Sequence, residues 1–223
     1  RRQPGSAFKP IVYLAGLEAE LTPTSRMMDA PIRIGTWSPR NFQRRHQGEV
    51  TLAHGLAQSI NTVAVRVAEH AGRKNVVRTA QRLGITSPLK AQPSLALGTA
   101  EVSLLELVSA YAPFANGGAA VWPHGITEIR DGQNKVLYRR QGSGPTRIID
   151  PQNIKYMNAM LGRVVQSGTG RKAKLNRPAA GKTGTSQNYR DAWFIGYTAD
   201  FAAGVWFGND NGRPMKKVTG GGL

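Results

Sequence analysis

Ser6 and Lys9 stand three residues apart in Gln3-Pro4-Gly5-Ser6-Ala7-Phe8-Lys9-Pro10, directly before the apolar run Ile11 to Leu17. If this stretch is helical, positions i and i+3 share a face, so the hydroxyl and the amine are neighbours. A hydroxyl becomes a usable nucleophile when a base takes its proton, and a lysine can be that base only when neutral. Neutrality requires a lowered pKa, through burial or a second cation nearby. A serine at a helix N-terminus also places its own backbone N–H beside a reacting carbonyl.

Two further clusters follow in chain order. Ser59-Ile60-Asn61 interrupts a helical region, and Lys182-Thr183-Gly184-Thr185 lies on an expected strand, which makes Lys182 the candidate second cation. Ser-x-x-Lys recurs at Ser87 to Lys90, and Ser-x-Asn recurs at Ser186 to Asn188. Neither recurrence has the right context. Pro88 follows a turn with no helix after it, and Ser186 sits in a loop past a strand, whereas Lys-Thr-Gly occurs once.

Other chemistries fail on spacing. His46, His54, His70 and His124 have no chelating pattern and there is no cysteine, so no metal site and no cofactor is expected. Gly181-Lys182-Thr183 resembles the end of a phosphate-binding loop, but the position five residues before Gly181 is Asn176, where that loop needs glycine.

The elements that must position these residues read as follows. A first helix runs from Ser6 to about Leu21, with Pro10 tolerated in its opening turn. Residues 26 to 50 lack a steady period and read as one long ordered loop. Thr51 caps a helix over Leu52 to Gln58, and helical character resumes over Val63 to Ala71 and Lys74 to Leu83. Ser103-Leu104-Leu105-Glu106 is a capping box for a helix through Phe114, so residues 51–117 form a helical subdomain. Ile126–Arg130 and Val136–Arg140 flank Asp131-Gly132-Gln133-Asn134 as a hairpin. Asp150-Pro151 starts another helix that ends before Gly168. Strands are expected at Ala179–Thr185, Trp193–Thr198 and Phe201–Phe207, the last two antiparallel. The fold class is α+β, with the sheet strands in 126–140 and 179–207.

The order Ser-x-x-Lys, Ser-x-Asn, Lys-Thr-Gly is the motif set of penicillin-binding proteins and serine β-lactamases. The chain resembles the transpeptidase domain of class A penicillin-binding proteins over essentially its whole length. The likeness rests on Gln3 to Pro10, Gly48-Glu49-Val50-Thr51-Leu52 leading to Ser59-Ile60-Asn61-Thr62, Leu97 to Val102 leading to Ala115-Asn116-Gly117-Gly118, Gly168-Thr169-Gly170, and Lys182 to Tyr197. The resemblance implies a serine D,D-transpeptidase that cross-links peptidoglycan stem peptides and is acylated by β-lactams. Ser6 would be the nucleophile, Lys9 its base, and Ser59 a proton relay to the leaving amine. Asn61 would hold the substrate backbone. Lys182, Thr183, Gly184 and Thr185 would receive the D-alanine carboxylate, and the backbone N–H groups of Ser6 and Thr185 would form an oxyanion hole.

Such domains sit with a glycosyltransferase domain and a membrane anchor, on the periplasmic, extracytoplasmic face of the inner membrane. The family's sheet begins with strands that precede the Ser-x-x-Lys helix, so 1–223 reads as a fragment of the domain. One departure separates it from class A β-lactamases. Those carry a glutamate with an asparagine four residues on; here Glu101 is followed by Leu105 and Glu106 by Ala110. A long-lived acyl-enzyme awaiting an amine fits better than rapid hydrolysis, with a D,D-carboxypeptidase or a non-catalytic β-lactam sensor as alternatives.

The chain has 223 residues, 30 Lys and Arg against 13 Asp and Glu, and a formal charge of +17. That balance suits an anionic partner or a solvated basic surface. The basic residues are scattered, without a nucleic-acid-binding signature, so nucleic acid is not an expected partner.

Overall fold

The computed structural model describes residues 1–142 and 147–222. The chain enters through a 3-10 turn, Gly5–Phe8, that runs directly into helix α1, Lys9–Glu18. The Lys9 N–H donates to the Ser6 carbonyl, which joins the two. Pro10 falls in the first turn of α1, where its missing N–H costs nothing. From Ile11 to Leu17 every residue of α1 is buried, as expected for a helix apolar on all sides.

The helix stops at Glu18 rather than near Leu21. Glu20 takes φ 69°, Leu21 N–H returns to the Gly16 carbonyl and Glu20 N–H to that of Leu17. This is a Schellman ending with glutamate in the place usually held by glycine, so no glycine marked the stop in the sequence.

The stretch read as one long loop begins and ends in strands. Strand β1, Arg26–Asp29, pairs antiparallel with β2, Gly48–Thr51, and Arg26 meets Glu49 at 2.9 Å. Each strand has four residues, too short to show a period, and the pairing is made between segments distant in sequence.

The helices that follow are α2 (Leu52–Ala57), α3 (Asn61–Ala71), α4 (Arg73–Arg82) and α5 (Leu104–Ala115). Thr51 caps α2 through its hydroxyl, and Ser103 with Glu106 closes a capping box on α5. A hairpin of β3 (Glu128–Arg130) and β4 (Val136–Arg139) precedes α6, Pro151–Gln166, capped by Asp150. The last three strands, β5 (Ala180–Thr185), β6 (Asp191–Tyr197) and β7 (Ala202–Gly208), form an antiparallel sheet in the order β5-β6-β7.

The core is continuous from the helices to the sheet. α1 lies at its centre against α3, α4 and α6, while α6 packs on β5 and α5 on β7. Trp193 is buried on β6 and its indole N–H donates to the Gln3 carbonyl at 2.9 Å, tying the sheet to the approach to Ser6. Trp206 instead gives its N–H to Asp191. Both tryptophans are packing residues.

Candidate active site

Three backbones converge without side chains between them. A Cβ on Gly98 would lie 2.1 Å from the Gly5 carbonyl oxygen, one on Gly184 2.3 Å from that of Pro4, and one on Gly5 2.6 Å from that of Thr185. Gly5 and Gly98 also have positive φ, 54° and 68°, which side-chain-bearing residues rarely adopt. The turn carrying Ser6 is thereby pressed against the edge of β5.

The ladder phase decides what that edge presents. Ser186 N–H donates to the Asp191 carbonyl, and hydrogen-bonded pairs alternate along an antiparallel ladder. The N–H and C=O of Thr185 therefore point away from β6, toward the Ser6 turn.

Lys9 and Lys182 are both completely buried. Lys9 Nζ lies 2.6 Å from the Ser59 carbonyl oxygen, 2.7 Å from Asn61 Oδ1 and 3.2 Å from Ser59 Oγ. Lys182 Nζ reaches the same hydroxyl at 2.9 Å, and the Thr183 carbonyl at 3.1 Å. Ser59 can offer both its oxygens because it adopts φ 57°, a left-handed conformation costing about 1–3 kcal/mol in a non-glycine residue. Burial, reinforced by the neighbouring charge of Lys182, holds the Lys9 amine well below its ordinary pKa. Burial brings Lys182 down to about 7.

The structure thus joins Lys9, Ser59, Asn61 and Lys182 in one hydrogen-bonded cluster. Thr183 belongs to its margin, its hydroxyl 2.8 Å from that of Thr169. Thr185 Oγ1 accepts from the Gly220 N–H at 3.2 Å. Gly184 faces Pro4 and Ala7, and its lack of a side chain is what permits the close approach. Ser6 is half-buried, and among the described residues its hydroxyl has no hydrogen-bond partner. The Lys9 amine gives its hydrogen bonds to Ser59 and Asn61.

The two recurrent motifs are structural. Ser87 Oγ donates to Glu106 at 2.8 Å, and Ser186 Oγ donates to Asp191 at 2.6 Å.

The Asn61 amide has a determined orientation. Its nitrogen faces the Arg40 carbonyl at 2.7 Å, which can only accept, and this leaves its oxygen facing Lys9 Nζ, also at 2.7 Å. Arg40 sits beside Asn41, a buried residue that sequence reading passed over, as it did Asp29. Asp29 accepts from Asn41 at 2.7 Å, Thr62 Oγ1 at 2.6 Å and Gln47 N–H at 2.8 Å, with His46 Nδ1 at 3.1 Å. Burial alone would raise its pKa, but the hydrogen bonds from Thr62, Asn41, His46 and Gln47 hold it below the usual carboxylate value. No spacing could have flagged these residues, because their partners come from β1, the loop and α3.

A family model described as the penicillin binding protein transpeptidase domain matches residues 1–209. Penicillin-binding protein 1A of Rickettsia typhi is 35% identical over 249 aligned residues, covering 98% of this chain and 32% of its own length. That of Neisseria meningitidis is 37% identical, covering 99% of this chain and 29% of its own. The chain therefore spans about a third of the curated relatives it matches. Among solved structures, penicillin-binding protein 1A from Haemophilus influenzae superposes with a TM-score of 0.91 at 28% identity, over 99% of this chain and 40% of that one. PonA1 from Mycobacterium tuberculosis, solved in complex with penicillin V, superposes with a TM-score of 0.89 at 23% identity, over 99% of this chain and 65% of that one, a likeness of fold.

Proposed function

The chain belongs to the penicillin-binding protein transpeptidase family, and from that premise we propose that it is a serine D,D-transpeptidase domain acting on peptidoglycan stem peptides through an acyl-enzyme on Ser6. The observation that carries the reading is the pair of buried lysines meeting at the Ser59 hydroxyl, beside the turn that presents Ser6.

Neutral Lys9 has two N–H bonds and one lone pair. The Ser59 carbonyl and Asn61 Oδ1 are obligate acceptors and occupy the two N–H bonds, leaving the lone pair for a proton. Ser6 Oγ attacks the carbonyl of the penultimate D-alanine and Lys9 takes the hydroxyl proton. The negative charge that develops on the carbonyl oxygen falls to the N–H groups of Ser6 and Thr185; one such donor is worth about 100- to 1000-fold in rate. On collapse, the C–N bond breaks and the leaving D-alanine amine receives a proton by way of Ser59. Lys182, Thr183 and Thr185 receive the terminal carboxylate, and the Asn61 amide, through its second N–H, receives the substrate backbone. An amine of an acceptor stem peptide then takes the acyl group.

The fate of the acyl group is supported by Glu106. Its carboxylate accepts from Thr86, Ser87 and Ser103, so it is committed to holding α5 rather than to activating water. Membership of the family also makes the domain a β-lactam target. By the same reading it works on the periplasmic face of the inner membrane, beside a glycosyltransferase domain and an anchor. No described helix is long and apolar enough to cross a membrane.

The test is covalent labelling with a fluorescent penicillin. The expected result is label on the wild-type protein and none on Ser6→Ala; label persisting on Ser6→Ala would refute the assignment. D-Alanine release from a D-Ala-D-Ala peptide should be accompanied by a cross-linked product when an amine acceptor is supplied. Free acid as the sole product would make it a carboxypeptidase, and acylation without release would make it a sensor.

A further inference from the structure

Helix α3 begins at Asn61 without a cap of its own, since the residue before it, Ile60, offers no side-chain acceptor. The cap is supplied from the distant loop. Asn41 Oδ1 accepts from the N–H of Asn61 at 3.0 Å and of Thr62 at 3.2 Å. Its nitrogen donates to Asp29 Oδ1 at 2.7 Å and to the Arg45 carbonyl at 2.9 Å. The amide of Asn41 is thus used on both sides, and Asp29, 1% exposed, anchors it to β1.

Two contacts to Asn61 then come from adjacent residues. Asn41 holds its backbone and the Arg40 carbonyl holds its side-chain nitrogen. The second contact is the one that turns Asn61 Oδ1 toward Lys9. Were the amide reversed, its N–H would face Lys9 and claim the lone pair that must accept the proton of Ser6.

We propose that Asn41, braced by Asp29, is a positioning residue for acylation: it places the Arg40 carbonyl and the Asn61 backbone so that the Asn61 oxygen faces Lys9. This rests on the function proposed above. Asn41 touches neither Ser6 nor Lys9, and its effect passes through Asn61. Misplacing a reacting group by about 1 Å can cost on the order of 100-fold, so the effect belongs in the limiting rate of acylation.

The experiment is stopped-flow acylation by a fluorescent penicillin, in the full-length protein, with the limiting rate separated from the dissociation constant of the encounter complex. Asn41→Ala should lower the limiting rate 10- to 100-fold. In an Asn61→Ala background the same change should cost less than 3-fold, because its route of action is gone. Thr62→Val removes another hydrogen bond to Asp29 and keeps the backbone N–H that Thr62 gives to Asn41. It should lower the melting temperature while leaving the limiting rate within 3-fold. If Asn41→Ala does not fold, Asn41→Ser keeps an oxygen for capping α3 but lacks the two donors, and the same 10-fold or greater loss is expected.

An Asn41 variant that folds and acylates at the wild-type rate overturns the inference, as does an equal loss with and without the Asn61 amide. A wild-type protein that takes no label overturns the proposed function, and this inference with it; a labelled wild type matched by its Asn41 variant overturns this inference alone.

Discussion

Lys9 and Lys182 meet at a single hydroxyl: Ser59 Oγ lies 3.2 Å from one amine and 2.9 Å from the other. Two ammonium groups so placed, away from water, could not both hold their protons without a large penalty. Burial lowers both, and the charge of Lys182 lowers Lys9 further. The arrangement favours the neutral Lys9 amine at a pH where an exposed lysine is charged, which is what its proposed role as base requires.

The acidic limb of the acylation profile should therefore depend on Lys182. Removing that charge in Lys182→Met relieves Lys9 of a repulsive neighbour, so Lys9 binds its proton more tightly and its pKa rises. The limb should move to higher pH, measured as the second-order acylation constant against pH. An unmoved limb would mean that burial alone sets the basicity of Lys9.

Stability should show the opposite face of the same relationship. Lys182 titrates near 7 in the folded protein and near the ordinary ~10.4 when unfolded. Between those values the unfolded chain holds more protons, so stability rises with pH; below about 7 the penalty is complete. Lys182→Met should accordingly be more stable than the wild type by about 1–4 kcal/mol at pH 6, and the gap should shrink toward pH 10. Lys9 contributes with the same sign. Urea unfolding at the two pH values measures the difference.

Glu106 makes the reverse prediction. Burial would raise its pKa, but hydrogen bonds from Ser103, Thr86 and Ser87 hold it far below the usual carboxylate range. Its contribution is present above the unfolded value of ~4.3 and is lost as pH falls through the lower folded value. Glu106→Gln should cost about 1.5–3 kcal/mol at pH 7, and the two proteins should converge below pH 4 in thermal melts.

Gly98 and Gly35 form a matched pair. Both have positive φ, 68° and 58°, but a Cβ on Gly35 meets nothing within 4 Å while one on Gly98 meets the Gly5 carbonyl oxygen at 2.1 Å. Gly35→Ala should cost only the backbone term, about 1–2 kcal/mol. Gly98→Ala adds displacement of the Ser6 turn, for roughly 2–5 kcal/mol in all, together with a loss of penicillin labelling that Gly35→Ala does not share. Equal losses in the two variants would mean that the Ser6 turn has room to move.

The cluster was readable from residue order because its members carry recognisable spacings. Ser6, Lys9, Ser59, Asn61 and Lys182 are unusual types at particular offsets, and the capping box of Ser103 and Glu106 is a local pattern. What was not readable depends on pairings across long stretches of chain. β1 and β2 stabilise each other and have no signature alone. Asn41 acts through partners on β1, in its own loop and on α3, one of its critical neighbours being the backbone carbonyl of Arg40, which any residue type would supply. The end of α1 was misplaced because Glu20 occupies a conformation that glycine normally signals.

The meeting of Gly5, Gly98 and Gly184 also bears on how such a protein can diverge. A substitution in that stack brings a folding penalty along with any change in reactivity, so drug pressure acting there selects against the protein itself. Variation that survives must fall where neighbours are solvent, such as Gln43, Arg45 and Gln187, all exposed on the segments that follow Asn41 and Thr185. Escape from a covalent inhibitor would then be written in the rim of the site, while its floor stays constant.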